Sequence, residues 1–138
     1  MTGVFEVNSV EETWELAKKL AAELKPGDIV CLEGDLGAGK TTFTQGLAAA
    51  LGVLGRVTSP TFCIVQEHRG PSLLVHMDLY RLHGEDDVIA IGWEDYLAEG
   101  AILVVEWPER AGALIPAEAN HVVFKHLDGE ESRRIEFR

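Results

Sequence analysis

The chain has 138 residues, enough for one domain with a sizeable core. Twenty-three acidic residues against twelve basic ones give a formal net charge of −11, which argues against direct, tight binding of RNA or DNA, because nucleic-acid binders neutralise phosphates with basic patches. No apolar run approaches the length of a membrane span and the N-terminus lacks a signal peptide's basic and apolar regions, so a cytoplasmic protein with no membrane association is expected.

Residues 4–7 read as a short first strand. Ser9 then opens a helix, with Glu12 three residues on completing a capping box. Val10, Trp14, Ala17, Ala21 and Leu24 recur at helical spacing and are expected to face the core. Lys25-Pro26-Gly27-Asp28 ends that helix as a turn. Residues 29–32 (Ile-Val-Cys-Leu) read as a buried strand, and residues 42–51 as a helix closing near Gly52. Two extended runs, residues 62–68 and 73–78, are joined by Arg69-Gly70-Pro71-Ser72, the pattern of an antiparallel hairpin. Residues 85–97 form one or two short helices broken near Gly92. Residues 101–106 are wholly apolar until the final Glu106, as expected of a central strand buried on both faces. Strands over 121–127 and 133–137 follow, joined by an acidic turn around Asp128-Gly129.

Neither a repeat nor a linker interrupts this order, so residues 1–138 are expected to form a single domain. Strands alternating with helices predict an α/β fold, a three-layer αβα sandwich on a mixed, mainly parallel central sheet. Cys31 and Cys63 stand in apolar runs without C-x-x-C spacing and read as buried free thiols, which suits a reducing compartment. The five histidines show no spacing that suggests a metal site.

Between the buried strand and its helix stand Gly34-Asp35-Leu36-Gly37-Ala38-Gly39-Lys40-Thr41, which satisfy G-x-x-x-x-G-K-[ST] at every fixed position. The glycines let successive N–H groups turn inward on a phosphate, and the following helix N-terminus adds its partial positive charge. Lys40 is expected to reach the β- and γ-phosphates and the Thr41 hydroxyl to ligate Mg²⁺. A Gly-rich turn of purely structural purpose has little use for Gly-Lys-Thr at this point. A nucleoside triphosphate site is therefore expected.

Such a site also needs an acid at a strand end for the metal shell. Two acids compete. Glu106 closes the most buried-looking strand, at the edge where ligands bind open α/β sheets. Asp78 closes the strand of residues 73–78. Each has the plainer reading of a surface acid where a strand leaves the core. Thr58-Ser59-Pro60-Thr61 could approach the γ-phosphate as switch segments do, although composition alone favours an ordinary turn. Arg81 and Arg110 could stabilise charge on the phosphoryl group, but an isolated arginine is more often a surface ion-pair residue.

Taken in order, residues 34–42, then Ser59-Pro60-Thr61-Phe62, then Asp78-Leu79-Tyr80-Arg81-Leu82, then Glu106-Trp107-Pro108-Glu109 resemble the TsaE family, the small bacterial ATPases of tRNA threonylcarbamoyladenosine biosynthesis. The resemblance covers nearly the whole chain. Cys63, where relatives often carry a hydroxyl or another small residue, is a minor departure. The resemblance implies a P-loop ATPase whose cofactors are ATP or ADP and Mg²⁺. It implies Thr41 and Glu106 as metal ligands, and Lys40, Asp78 and Glu106 as the catalytic set, with Asp78 close to the metal and the attacking water. The nucleotide site would run through Gly37, Ala38, Gly39, Lys40, Thr41 and Thr42 to Ser59 and Thr61, with adenine near Asn8 and Ser9. The implied partners are TsaB and TsaD, so that tRNA is met only indirectly, through the complex that modifies its adenosine 37. Two other readings remain at this stage. A small-molecule P-loop kinase would need an arginine-bearing lid, and no segment concentrates arginine. A nucleotide-gated binding module would hold ATP without hydrolysing it, and Glu106 argues mildly against that. A GTPase would need [NT]-K-x-D, which is absent from the sequence.

Overall fold

The computed structural model describes residues 1–35, 38–53 and 64–138. Its strands are β1 (Gly3–Val7), β2 (Ile29–Gly34), β3 (Val65–Arg69), β4 (Leu73–Asp78), β5 (Ile102–Glu106), β6 (Asn120–His126) and β7 (Arg133–Phe137). Its α-helices are α1 (Val10–Ala21), α2 (Lys40–Ala50), α3 (Glu85–Ala90) and α4 (Trp93–Ala98), and a 3₁₀ segment covers Pro108–Leu114.

Ser9 is the N-cap of α1, its hydroxyl accepting the Glu12 N–H at 3.2 Å. The return bond differs from the usual box: Glu12 Oε2 accepts from the Asn8 N–H at 2.7 Å, one residue earlier than Ser9. The buried stripe of α1 is also rotated from the expected one. Thr13, Leu16, Ala17, Leu20 and Ala21 face inward, whereas Trp14 is 42% exposed. The cause is the close approach of α2: a Cβ on Gly46 would come 2.8 Å from Trp14 Cδ1 and 3.1 Å from Ala17 Cβ. The helices meet along this seam, which leaves the indole at its outer margin. The hairpin β3–β4 and the break between α3 and α4 at Gly92, in left-handed backbone, agree with the sequence pattern.

The seven strands form one sheet in the order β1-β7-β6-β2-β5-β4-β3. At its centre β6, β2, β5 and β4 are parallel. β7 runs against both β6 and β1, and β3 runs against β4. Hence β1, β6, β2, β5 and β4 point one way and only β7 and β3 the other. Alternate residues of β5 serve two cores. Ile102 and Val104 join Leu20, Phe43 and Leu47 under α1 and α2, while Leu103 and Val105 join Val88, Trp93 and Ala111 under the other helices. That division makes three layers, with roughly 1.5–3 kcal/mol of transfer free energy from each fully buried Leu, Val or Phe. The parallel strands end together, so that Leu32, Asp78 and Glu106 stand level at one edge.

Candidate phosphate-binding site

The site is built where β2 runs into α2. Gly34, the last residue of β2, has φ +141° and lies so close to Phe124 of β6 that a Cβ there would collide with the Phe124 carbonyl oxygen. Only glycine lets the chain leave the sheet at this point. Gly39, with φ +107°, turns the chain into α2, whose first residue is Lys40. Thr41 and Thr42 follow in the first turn, both half-buried. Leu36 and Gly37 lie outside the described residues, as do Ser59, Thr61 and Cys63.

Lys40 folds back over the loop. Its Nζ donates to the Gly34 carbonyl oxygen at 2.8 Å and stands 3.5 Å from Glu106 Oε1. The other carboxylate oxygen, Oε2, is 2.7 Å from Nε2 of His76, a fully buried residue of β4. Burial presses the Glu106 carboxyl upward, but the His76 imidazole and the Lys40 ammonium outweigh it and hold the group below the usual carboxylate range. Beside these groups is a cleft of about 220 Å³, lined by Leu32, Glu33, Gly34, Asp35, Lys40, Trp107, Pro108 and Glu109.

The structure thus brings Lys40 and Glu106 together across two parallel strands. Asp78 is in register with Glu106, yet its Oδ1 accepts the Tyr80 N–H at 3.0 Å, which fixes the carboxylate in its own turn. Asn8 and Ser9 sit at the β1–α1 junction, where the Ser9 hydroxyl is committed to the helix cap. Asn8 Oδ1 accepts the Ser132 hydroxyl at 2.9 Å. The next residue, Arg133, flanks the loop: a Cβ on Gly39 would lie 3.9 Å from its Cγ and Nε. Sequence reasoning did not single out Arg133, because an arginine opening an edge-side strand has no distinguishing pattern. His76 was missed for a different reason. A histidine within an apolar strand reads as a core residue until its neighbour is known. Arg81 is exposed, and Arg110 Nε has no hydrogen-bond partner among the described residues.

Trp107 follows Glu106 in left-handed backbone (φ 59°, ψ 54°) and is the only non-glycine residue with positive φ among those described. Pro108 disfavours α-region backbone for the residue before it, and the strain of a non-glycine residue here is on the order of 1–3 kcal/mol. The indole, which lines the cleft, meets the Tyr80 ring at a centroid distance of 4.8 Å, with Trp107 40% and Tyr80 55% exposed. Among the described residues no three His, Cys, Asp or Glu side chains converge as a metal cage. One carboxylate beside a phosphate loop is nonetheless what Mg²⁺ uses, since it keeps several waters and takes its remaining ligands from phosphates and a hydroxyl.

The model of the family described as threonylcarbamoyl adenosine biosynthesis protein TsaE matches residues 7–135. The chain is 44% identical over 128 residues to the tRNA threonylcarbamoyladenosine biosynthesis protein TsaE of Bacillus subtilis, a match covering 92% of this chain and 79% of that one. It is 44% identical over 107 residues to the TsaE of Aquifex aeolicus, covering 75% of each. The crystal structure of Bacillus subtilis YdiB superimposes with a TM-score of 0.80 at 37% identity, covering 99% of this chain and 84% of that one. With a P-loop NTPase fold and matching relatives over most of its length, the chain belongs to the TsaE family of tRNA threonylcarbamoyladenosine biosynthesis proteins.

Proposed function

We propose that this protein is a Mg²⁺-dependent ATPase, one domain acting in the cytoplasm, whose hydrolysis of ATP drives a turnover step of a TsaB–TsaD complex that modifies adenosine 37 of tRNA. The observation that supports it best is the convergence of Lys40 with Glu106 at the strand edge beside the loop, 3.5 Å apart. A lysine that satisfies itself on a carbonyl of its own loop has a cation to offer an anion of better fit.

In this reading Lys40 exchanges the Gly34 carbonyl for β- and γ-phosphate oxygens, and the amides of Gly37, Ala38 and Gly39 hold the remaining charge. Thr41 and Glu106 hold Mg²⁺, which when bound neutralises charge between the phosphates. Asp78 orients the attacking water, and Ser59 and Thr61 follow the γ-phosphate. Thr42 and the Asn8–Ser9 junction complete the nucleotide site, with Arg133 beside it. None of the described groups at the site is a strong general base, so hydrolysis by the chain alone is slow and is accelerated when partners order the site.

The test is phosphate release from ATP by the purified chain, alone and with TsaB, TsaD and tRNA. Slow release that rises severalfold with the complex supports the reading. No release under either condition sinks the ATPase assignment. Adenine is expected over guanine, and calorimetry showing GDP bound as tightly as ADP would overturn that part.

A further inference from the structure

His76 is an expensive residue for its position. It is fully buried in β4, between Val75 and Met77, and its Nδ1 has no hydrogen-bond partner among the described residues. A leucine would fill this layer without desolvating an imidazole, and a buried polar atom left unpaired costs stability. What the imidazole does make is one short contact, 2.7 Å from Nε2 to Glu106 Oε2. An ionised carboxylate only accepts hydrogen bonds, so Nε2 carries the hydrogen and donates it.

That contact divides the two oxygens of Glu106 between a fixed partner and a movable one. Oε2 is tied to a side chain locked in the sheet. Oε1 faces Lys40, whose long chain is also shared with the Gly34 carbonyl. When Lys40 turns to phosphates, its hold on Oε1 loosens, and of the two described side chains that touch the carboxylate only His76 remains. From this we propose that His76 is a positioning residue: it anchors Oε2 so that Oε1 stays turned toward Lys40 and the phosphate loop, ready for the divalent cation that accompanies the nucleotide. The inference rests on Glu106 being a metal ligand, as in the function proposed above. Groups that hold a ligand in place are typically worth about 10- to 100-fold in metal affinity.

The experiment titrates Mn²⁺ into the full chain with ADP present and reads free Mn²⁺ by electron paramagnetic resonance. Fluorescent ADP in EDTA reports metal-free nucleotide binding. His76→Leu should weaken Mn²⁺ about tenfold or more while leaving metal-free ADP binding unchanged. His76→Gln, which restores an N–H donor, should recover most of the loss. Glu106→Gln should weaken Mn²⁺ at least as much, and adding His76→Leu to it should weaken Mn²⁺ no further. Wild-type Mn²⁺ affinity in His76→Leu beside a weakened Glu106→Gln overturns the role of His76 and leaves the metal ligand standing. Unchanged affinity in Glu106→Gln removes the metal ligand and the inference with it. Losses that add fully in the double variant also overturn the inference, since His76 would then act elsewhere. If His76→Leu does not fold, the imidazole ¹⁵N resonances of the unsubstituted protein decide. They should show Nε2–H before and after ADP and Mg²⁺, and an Nε2 without hydrogen overturns the proposal.

Discussion

In the proposed function Lys40 and Glu106 divide the work of the site in a way that substitutions can separate. Lys40 is the cation of the phosphate loop itself, so Lys40→Ala should lower ATP affinity by at least about tenfold, as loss of one charge-assisted contact would. Glu106→Gln should spare metal-free nucleotide binding and slow Mg²⁺-dependent hydrolysis, because the loop and Lys40 remain while the metal loses its proposed anionic ligand. Calorimetry in EDTA beside a phosphate-release assay with Mg²⁺ distinguishes the two; weakened metal-free binding in Glu106→Gln with unchanged turnover of bound ATP would reverse the roles. Cys31 gives a prediction of opposite kind. Burial first, then the carboxylates of Glu33 and Glu109, push its thiol up from 9.0 to about 12. Thiolate, not thiol, is the nucleophile, so Cys31 should resist alkylation at pH 8 in the folded chain and react on unfolding, as mass spectrometry can follow. The sign of the linked stability follows. The contribution is whole below the unfolded value and is lost as pH climbs through the folded one, so denaturant midpoints should fall between about pH 9 and 12.

Among the elements, the turn out of β2 has the least tolerance. Gly34→Ala must place a methyl against the Phe124 carbonyl at a positive φ, and a loss of at least about 2 kcal/mol is expected from backbone strain alone. Urea denaturation showing no loss would mean that β6 can retreat from β2. The same region shows how much a sequence discloses. The phosphate loop was legible because its chemistry is local: eight adjacent residues contain the whole pattern. The Ser9 cap, the β3–β4 hairpin and the break at Gly92 were legible for the same reason. Trp14 was misread because its facing depends on Gly46, thirty-two positions away, where a missing Cβ lets α2 come close. The 3₁₀ segment Pro108–Leu114 went unrecognised, since its pattern is too short and Gly112 breaks it. Asp78 and Glu106 competed as strand-end acids, with Glu106 ahead because its strand is the more buried-looking and the family resemblance implies the ligand there. Their neighbours were not legible: His76 and Lys40 reach Glu106 from other elements, and the Tyr80 N–H on Asp78 depends on how the chain turns after β4.

At the scale of the molecule, a net charge of −11 opposes any polyanion. At physiological salt, where charges are screened over about 8 Å, the isolated chain should bind tRNA weakly, and submicromolar affinity by fluorescence anisotropy would contradict the proposed division of labour with TsaB and TsaD. The sheet's outer edge has a consequence of its own. β1 is held by β7, with Gly3 opposite Phe137, so the first strand completes the sheet by joining the two far ends of the chain. Closing a loop of nearly the whole sequence is entropically the dearest pairing available, and such non-local contacts slow folding. β1 should therefore be the last strand to dock and the first to fray. A circular permutant that links Arg138 to Met1 through a short glycine-serine segment, and opens new ends in the turn of residues 70–72, would turn this pair into a local hairpin. Its refolding should be faster than that of the natural order while the nucleotide loop, three strands inward, is left as it was.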